Sequence, residues 1–457
     1  MATTPGAIAA RLDRLPPSRH VWQLVILISL GACFEIYDLF LTAYIVPGMN
    51  KAGLFSPESL GIFGALAPLH IEGAGTFVFA LFAGLFVGTM CLGWVADAYG
   101  RRTIFTMSLL WYSIATLVMA FQTTGFAIDL WRFIAGIGIG IELVTIDTYI
   151  SEMIPAAQRG KAFAFSQCIM FTSVPIVALL AWLVGVDNWR WVVGIGSVGA
   201  VVIWVVRLRL PESPRWLARK GRIDEAEAIM ARIESAVSAE TGRLPAPAPA
   251  IEEQGTASFA AIWQAPYGKR AIVMSVFNFF QTYGYYGFAA WVPTLLISKG
   301  IHVTQSLEYS FIIAIANPVG PLLGSFIADR MERKWQIACA AAGIGTFGML
   351  FANAMDPTLL IVFGVAITLC NNWMSYAFHN YQAELFPTHI RSRAVGFVYG
   401  WSRLSAALSG LAIAFFLGIG GVTAVFGFIA AAMLIVVITI GGFGPKTRGL
   451  ALEAIAH

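Results

Sequence analysis

Twelve long apolar runs limit what this sequence can become. They fall at about 22–46, 74–96, 104–122, 127–150, 163–184, 191–207, 271–297, 309–328, 335–353, 358–382, 394–417 and 421–443. Each approaches the roughly 20 residues that a helix needs to cross ~30 Å of hydrocarbon. Of the 457 residues 58% are hydrophobic and 12% charged, against roughly 25% charged in soluble domains. That excludes a soluble enzyme.

Charged motifs between the runs add a second regularity. Gly93-Trp-Val-Ala-Asp97-Ala-Tyr-Gly100-Arg101-Arg102 reappears, degraded, as Ser325-Phe-Ile-Ala-Asp329-Arg-Met-Glu332-Arg333-Lys334. Glu152-Met-Ile-Pro155-Ala-Ala-Gln-Arg159 likewise corresponds to Glu384-Leu-Phe-Pro387-Thr-His-Ile-Arg391. Asp97 to Asp329, Glu152 to Glu384, Pro155 to Pro387 and Arg159 to Arg391 are all offset by 232 positions. Two charged motifs at one offset point to two homologous halves. The expected organisation is a six-helix bundle over 1–207, a cytoplasmic linker with short helices over 208–270, and a second six-helix bundle with a cytoplasmic tail over 271–457. A linker of about 60 mostly polar residues is too small for an enzymatic domain.

Orientation follows from the basic residues. All but five of the 29 Lys and Arg fall in the two tails and every second loop. Lys51, Arg190 and Lys299 fall in the opposite loops, and Arg132 and Arg403 lie inside runs. Both termini and the insert are therefore expected in the cytoplasm, with the chain crossing the inner (plasma) membrane many times. The net charge of +4 reflects this asymmetry and carries no sign of nucleic-acid binding. Cys33, Cys91, Cys168, Cys339 and Cys370 sit inside runs at unpaired spacings and read as buried small apolar residues, not disulfides or metal ligands. No cofactor or metal is expected. Residues 1–20 read as a short basic tail without a cleavable signal peptide. The Gly-x4-Gly-Lys-Ser/Thr phosphate loop of an ATP-driven pump is not in the sequence.

Together these motifs resemble the major facilitator superfamily, and within it the sugar-porter and organic-ion-transporter branch. Gly93 to Arg102 is similar to the family's loop 2–3 signature, and Tyr149-Ile-Ser-Glu152 through Pro155 to Arg159-Gly160 to its loop 4–5 signature. Pro211-Glu-Ser-Pro-Arg215-Trp-Leu is similar to the branch's loop 6–7 signature, and Pro445-Lys-Thr-Arg448-Gly-Leu echoes it after the last run. The resemblance covers nearly the whole chain, and bacterial niacin and aromatic-acid permeases look closest. It implies an all-α fold of 12 transmembrane helices in two pseudo-symmetric six-helix bundles. A central cavity lined by spans 1, 4, 7 and 10 would open alternately to each side. Span 7 departs from the sugar porters: Asn278-Phe-Phe-Gln281-Thr-Tyr283-Gly284-Tyr285-Tyr286 keeps Gln281 and Gly284 but places aromatics where those proteins carry amides. Their sugar-stacking span-10 tryptophan is His379 here. Both departures argue against a hexose.

An ionisable side chain at mid-membrane is costly, so it pairs, faces water or works. By the resemblance, Asp38 matches the proton-switch aspartate of proton-coupled sugar porters and Arg132 its span-4 partner. Protonation of Asp38 would release Arg132 and permit the opposite opening; the alternative is a permanent ion pair between spans 1 and 4. Glu35 shares a helix face with Asp38, and Glu142 lies ~15 Å along the helix from Arg132. Each reads as a second proton site or as a cap on a backbone group near the mouth. Asp147 belongs with the gate.

Arg403 is the sharpest substrate clue, because a buried guanidinium stays protonated and can hold a carboxylate through two parallel hydrogen bonds. A salt bridge to the other bundle, or snorkelling, is the alternative. Asn278, Gln281, Tyr283, Tyr285, Tyr286, Trp291, Asn371, Asn372, Trp373, Tyr376, His379 and Asn380 cluster in spans 7 and 10. Apolar walls with a few polar groups suit a planar organic acid. Asp97, Arg101, Arg102, Glu152 and Arg159, with Asp329, Arg333, Glu384 and Arg391, are expected to pair between helix ends as a gate. Repetition of the acids as well as the bases favours that over a purely topological role. The sequence thus points to a monomeric secondary transporter in the lipid bilayer. It would import a small organic anion, an aromatic monocarboxylate such as nicotinate or hydroxybenzoate, with protons. A proton-coupled or facilitative sugar transporter and a transporter-like ligand sensor are the alternatives.

Overall fold

A computed structural model of the chain describes residues 4–69, 73–92, 94–247, 249, 259–327, 331–386 and 388–447. Gly93, Asp329 and Pro387, and the side chains of Asp147 and Arg391, lie outside the described residues. Hydrocarbon offers no partner to a backbone N–H or C=O, and a helix satisfies both within one segment. The apolar runs accordingly form helices, and no strand occurs among the described residues.

The first half holds α1 (Pro5–Asp13), α2 (Arg19–Lys51), α3 (Ala74–Leu92), α4 (Val95–Tyr99), α5 (Arg101–Ala120), α6 (Gly125–Met153), α7 (Ala156–Phe171), α8 (Ser173–Val184) and α9 (Trp189–Arg207). Two linker helices follow, α10 (Pro214–Arg219) and α11 (Ile223–Thr241). The second half holds α12 (Tyr267–Ala289), α13 (Val292–Ser298), α14 (Val303–Ala314), α15 (Ala316–Ile327), α16 (Arg333–Asn353), α17 (Pro357–Glu384) and α18 (Thr388–Phe443). Nine of the described helices, with α7–α8 taken as one, are long and apolar enough to cross a membrane. The 56-residue α18 carries two spans, since its backbone leaves the helix at Gly420 and Gly421. The runs at 271–297 and 309–328 are built from shorter pairs, α12–α13 and α14–α15. All twelve expected spans are thereby helical.

Glycines set the closest helix contact. A Cβ on Gly136 would sit 2.3 Å from the Leu81 carbonyl oxygen, and one on Gly140 2.3 Å from that of Leu85. Gly84 and Gly88 of α3 face the Phe133 and Ile137 carbonyls as closely. Two small-x3-small pairs therefore let α3 and α6 approach backbone to backbone. Gly138, two residues on, points the other way and lies against Trp111 and Tyr112 of α5. The Gly136-Ile-Gly138-Ile-Gly140 run therefore serves two faces of one helix, because successive residues turn by about 100°.

Several expectations change in detail. The basic N-terminal tail contains a docked helix: Ile8 and Leu12 of α1 are buried, and Arg11 pairs with Glu227 at 2.5 Å and Glu234 at 2.7 Å on α11. Helix α2 continues through Pro47 to Lys51 rather than ending near 46. Cys91 and Cys339 are exposed on helix flanks rather than buried, and all five thiols are free. The two post-bundle motifs are held alike: Tyr149 donates its hydroxyl to the Pro211 carbonyl, and Tyr381 donates to that of Pro445 at 2.8 Å.

Two outcomes test this packing. Gly136→Leu should destabilise the protein by ~1–3 kcal/mol through overpacking, seen as a lower melting temperature in detergent; Gly194→Ala, which faces open space, should leave it unchanged. Burial acts to raise Glu234, but hydrogen bonds from Arg11 and Arg14 outweigh it and hold its carboxyl below the usual range. A depressed carboxyl stabilises above its unfolded pKa of about 4.3 and ceases to as pH falls through the folded value. Hydrogen exchange in residues 5–13 should therefore stay slow from neutral pH to the ordinary carboxylate range and speed up only below it.

Candidate functional site

Between the halves lies a cavity of about 110 Å³ lined by α2, α6, α7, α12, α17 and α18. Its polar groups come from Gln281, Thr282, Tyr285 and Tyr286 of α12, Ser375 and His379 of α17, Tyr399, Ser402 and Arg403 of α18, and Gln167 of α7. Ile36, Leu39, Phe40, Leu143, Ile146, Met170 and Phe171 supply apolar wall. His379 is exposed, so the cavity communicates with solvent toward the end of the bundle that carries the tails. Toward the opposite end Tyr44, Phe288 and Val292 are buried around a second, smaller crevice of about 20 Å³. Arg403 is 5% exposed; its Nη2 donates to the Tyr399 hydroxyl at 2.9 Å, and its guanidinium lies 4.6 Å from the Tyr399 ring centre. Four residues apart on one helix, the two side chains share a face by helical spacing alone.

Five expected substrate residues meet here: Gln281, Tyr285, Tyr286, His379 and Arg403. Asn278, Asn372, Trp373 and Tyr376 do not line the cavity, nor do Tyr283, Trp291, Asn371 and Asn380 of the same cluster. Asn278 donates back to the Met274 carbonyl at 2.9 Å, Asn372 lies 3.4 Å from Asn317 Oδ1, and Trp373 donates to Gln336 at 3.3 Å. Tyr376 is half-buried outside the lining. Asn278 is thus occupied within its own helix, and Asn372 and Trp373 by α15 and α16. Gln167, Tyr399 and Ser402 escaped the sequence reading. Tyr399 had a signal, its position one turn from Arg403; Gln167 had none, since span 5 carries no charge near it.

Asp38 and Arg132 are joined and lie apart from this cavity. Arg132 donates Nη1 to Asp38 Oδ2 at 3.0 Å and Nη2 to the Asp38 carbonyl and the Thr42 hydroxyl, both at 2.5 Å. Thr116 donates to the same Asp38 oxygen at 3.2 Å. Asp38 faces a crevice of about 10 Å³ inside the first half, among Tyr37, Tyr112, Ser113, Thr116 and Ser197. Helix α2 runs past both sites, since its Ile36, Leu39 and Phe40 line the cavity.

Glu142 serves a different structure. It pairs with Arg207 at the end of α9 and accepts from Ser108 at 3.0 Å, with both ionic side chains fully buried. Arg207 also donates to the Phe105 carbonyl and stacks 3.6 Å from that ring's centre. Glu142 is thus committed to an ion pair between spans 4 and 6 rather than capping a backbone group. The sequence could not have foretold it, because Arg207 reads as the last residue of the sixth run, at the edge of the polar insert. Glu35 is fully buried on α2, within electrostatic reach of Tyr112 in the first half and Tyr286 in the cavity.

The repeated charges pair at the repeat's own offset. Arg101 donates to both oxygens of Glu152, at 3.2 and 3.1 Å, and lies 2.6 Å from Asp97. Arg333 pairs with Glu384, each 232 positions later. Both pairs join neighbouring helices of one half; among the described residues none of these charges bridges the two halves. Arg102 donates to the Leu208 carbonyl at 2.7 Å and its backbone N–H to Glu212 at 3.0 Å. Gly100 makes that possible: its φ of 108° suits glycine, and a Cβ there would meet Glu212 at 2.4 Å. Arg159 turns to Asp13 at 3.3 Å and the Ile154 carbonyl at 3.0 Å. In this arrangement the described charges of the set pair within each half.

The family description "Sugar (and other) transporter" matches residues 24–457, and the chain belongs to that family, within the major facilitator superfamily. It is 33% identical over 453 residues to the "Putative metabolite transport protein YyaJ" of Bacillus subtilis (strain 168), covering 98% of this chain and 97% of that one. It is 26% identical to the niacin transporter NiaP of Acinetobacter baylyi, covering 98% and 99%. Among solved structures, the xylose transporter XylE of E. coli in a partially occluded inward-open conformation superposes with a TM-score of 0.75 at 18% identity, covering 95% of this chain and all of that one. The protein is a multi-pass membrane transporter of small molecules.

Removing one partner of the fully buried pair should be severe. Glu142→Gln should cost about 3–5 kcal/mol by stranding Arg207, read as a large drop in melting temperature in detergent. Asp97→Asn, at an exposed carboxylate, should cost no more than about 1 kcal/mol.

Proposed function

We propose that this transporter imports a small aromatic monocarboxylate together with protons, by alternating access between its two halves. The observation that carries the substrate class is Arg403, buried yet lining a small cavity beside Tyr285, Tyr286 and Tyr399. Its permanent charge in a poorly hydrated site favours an anion, and its planar fork matches a carboxylate. Aromatic walls and a cavity near the size that accommodates one ring favour a planar acid over a branched sugar. Similarity to a niacin transporter supports nicotinate as the first substrate to try. Gln281, which a sugar porter would also carry, is the feature that keeps a sugar as the second reading.

The Asp38–Arg132 pair supports proton coupling. Deprotonated Asp38 holds α2 to α6; protonation removes the carboxylate's charge, weakens that hold and lets α2 carry its cavity-lining residues into the other arrangement. With the basic tails in the cytoplasm, the arrangement in hand is the inward-facing one, and the 1–207 and 271–457 bundles would rock about the 208–270 linker. The Arg101–Glu152 and Arg333–Glu384 braces would keep each half rigid during that motion, and the transporter would work as a monomer.

Uptake of radiolabelled nicotinate and glucose into proteoliposomes under an inward proton gradient tests this. Nicotinate should accumulate and a protonophore should abolish the accumulation; glucose accumulation would favour the sugar reading. Arg403→Ala should lower nicotinate affinity at least about tenfold, as expected for a lost charge-assisted contact of ~1.4 kcal/mol or more; unchanged affinity would remove Arg403 from the substrate site. Asp38→Asn should keep counterflow and lose gradient-driven accumulation.

A further inference from the structure

A separate cavity of about 460 Å³ lies at the tail-bearing end of the first half and takes no part in the cycle above. Three segments enclose it: Tyr99, Arg102 and Thr103 around the start of α5, the stretch 208–212 after α9, and one face of α11. That face is Arg222, Glu225, Ile229 and Arg232, spaced three, four and three residues apart and so aligned along the helix. The adjoining side of α11, with Ala226, Met230, Ile233 and Val237, is buried.

Four arginines and two glutamates line this cavity, a net charge of +2. Both glutamates are engaged. Glu225 accepts from Arg222 through its two oxygens, at 2.6 and 2.7 Å. Glu212 accepts the backbone N–H groups of Arg102 at 3.0 Å and Ser213 at 2.9 Å. Arg102 spends one donor on the Leu208 carbonyl. Arg209 and Arg232 form no hydrogen bond or ion pair with another described residue. Two guanidiniums thus face one cavity with their charge unmatched. Their planar forks suit phosphate oxygens, which they can hold bidentately.

The cavity sits where the lipid-facing surface ends. Helices α5 and α9 pack antiparallel: Arg207 donates to the Phe105 carbonyl, and Arg190, at the other end of α9, to that of Ala120 at 2.7 Å. Each turns an apolar stripe outward, Val198, Val202, Val205 and Leu208 from α9 and Met107, Trp111 and Ile114 on α5. Steps of three or four residues keep each stripe on one face. Leu208 ends the first stripe, and Thr103, one turn before Met107, continues the second; both are exposed and both line the cavity. Tyr99, also exposed and lining it, has the ring chemistry that favours headgroup level. Acyl chains lying along these stripes end where the arginines begin.

We propose that this cavity binds the headgroup of an anionic phospholipid, with Arg209 and Arg232 holding its phosphate and the α5 and α9 stripes carrying its chains. Basic pockets beside spanning helices, on the side of the bundle that carries the positive charge, collect such headgroups. A zwitterionic headgroup fits less well, because its ammonium meets a lining that is already net positive. One phosphate held by both arginines ties α11 to the end of α9, and so fastens the linker to the first half through the membrane itself.

Intact-protein mass spectrometry of the purified full-length chain, titrated with phosphatidylglycerol or with phosphatidylcholine of the same acyl chains, tests this. The wild type should bind one phosphatidylglycerol at least about tenfold more tightly than phosphatidylcholine, as expected for charge-assisted contacts from two arginines. Arg209→Gln combined with Arg232→Gln should erase that preference. Lys161→Gln combined with Arg243→Gln, which removes the same charge at exposed positions outside the lining, should keep it. Equal binding of the two lipids, or a preference that survives the paired arginine changes, overturns the proposal. A preference lost equally in the Lys161 and Arg243 control also overturns it, since total charge would then account for the binding. Should the paired arginine variant fail to fold, Arg232→Gln alone, on the exposed face of α11, must weaken phosphatidylglycerol binding several-fold, and unchanged binding overturns the site. Glycerol phosphate that displaces the lipid at equal concentration would identify a soluble phosphate ligand and overturn the lipid assignment.

Discussion

A charge inside hydrocarbon has to be matched by its immediate neighbours, because neither water nor distant ions can screen it. That requirement organises the first half of this transporter. Arg207 at the end of α9 is matched by Glu142 of α6, and Arg132 by Asp38 of α2. Each pair ties a different helix to α6, which carries one member of both. Helix α6 is in turn fixed to α3 by the closest backbone contact described, at Gly84, Gly88, Gly136 and Gly140. The hydrophobic effect contributes little to such contacts, since lipid tails are as apolar as leucine. Close packing and matched charge therefore carry the architecture.

The two pairs differ in what surrounds them. Glu142 and Arg207 are enclosed, bonded to Ser108 and the Phe105 carbonyl and stacked on the Phe105 ring. Breaking them costs much and releases nothing useful. Asp38, still paired with Arg132, borders a small crevice. A pair with an alternative arrangement can switch; a pair without one can only brace. The same distinction separates Arg403, which opens onto a cavity, from Arg101, which both Asp97 and Glu152 hold.

Separating the Asp38 crevice from the Arg403 cavity has a mechanical consequence. The two sites share α2, whose one face presents Asp38 to the first-half interior and another presents Ile36, Leu39 and Phe40 to the cavity. Coupling through a rigid helix needs no contact between proton and substrate, only two arrangements of α2 that each favours differently. The linker helices and docked α1 sit at the tail-bearing end, joined by Arg11, Arg14 and Asp13 to Glu227, Glu234, Arg159 and Arg215. They tie the tail to the first half's helix ends.

The twelve spans, the twofold repeat and the membrane class were determined by the sequence alone. Run length against bilayer thickness and a 232-residue offset are properties of one dimension. The repeat singled out Arg101, Glu152, Arg333 and Glu384 as equivalent positions, and the structure pairs them alike in both halves. The tertiary structure decided which polar side chains meet. Asn278, Gln281, Asn372 and Tyr285 look equivalent in sequence, yet Gln281 and Tyr285 line the cavity while Asn278 and Asn372 bond to their own helices or neighbours. Helix rotation assigns each face, and only packing against the other helices fixes rotation. For the same reason Glu142 found Arg207 across some 65 residues of chain.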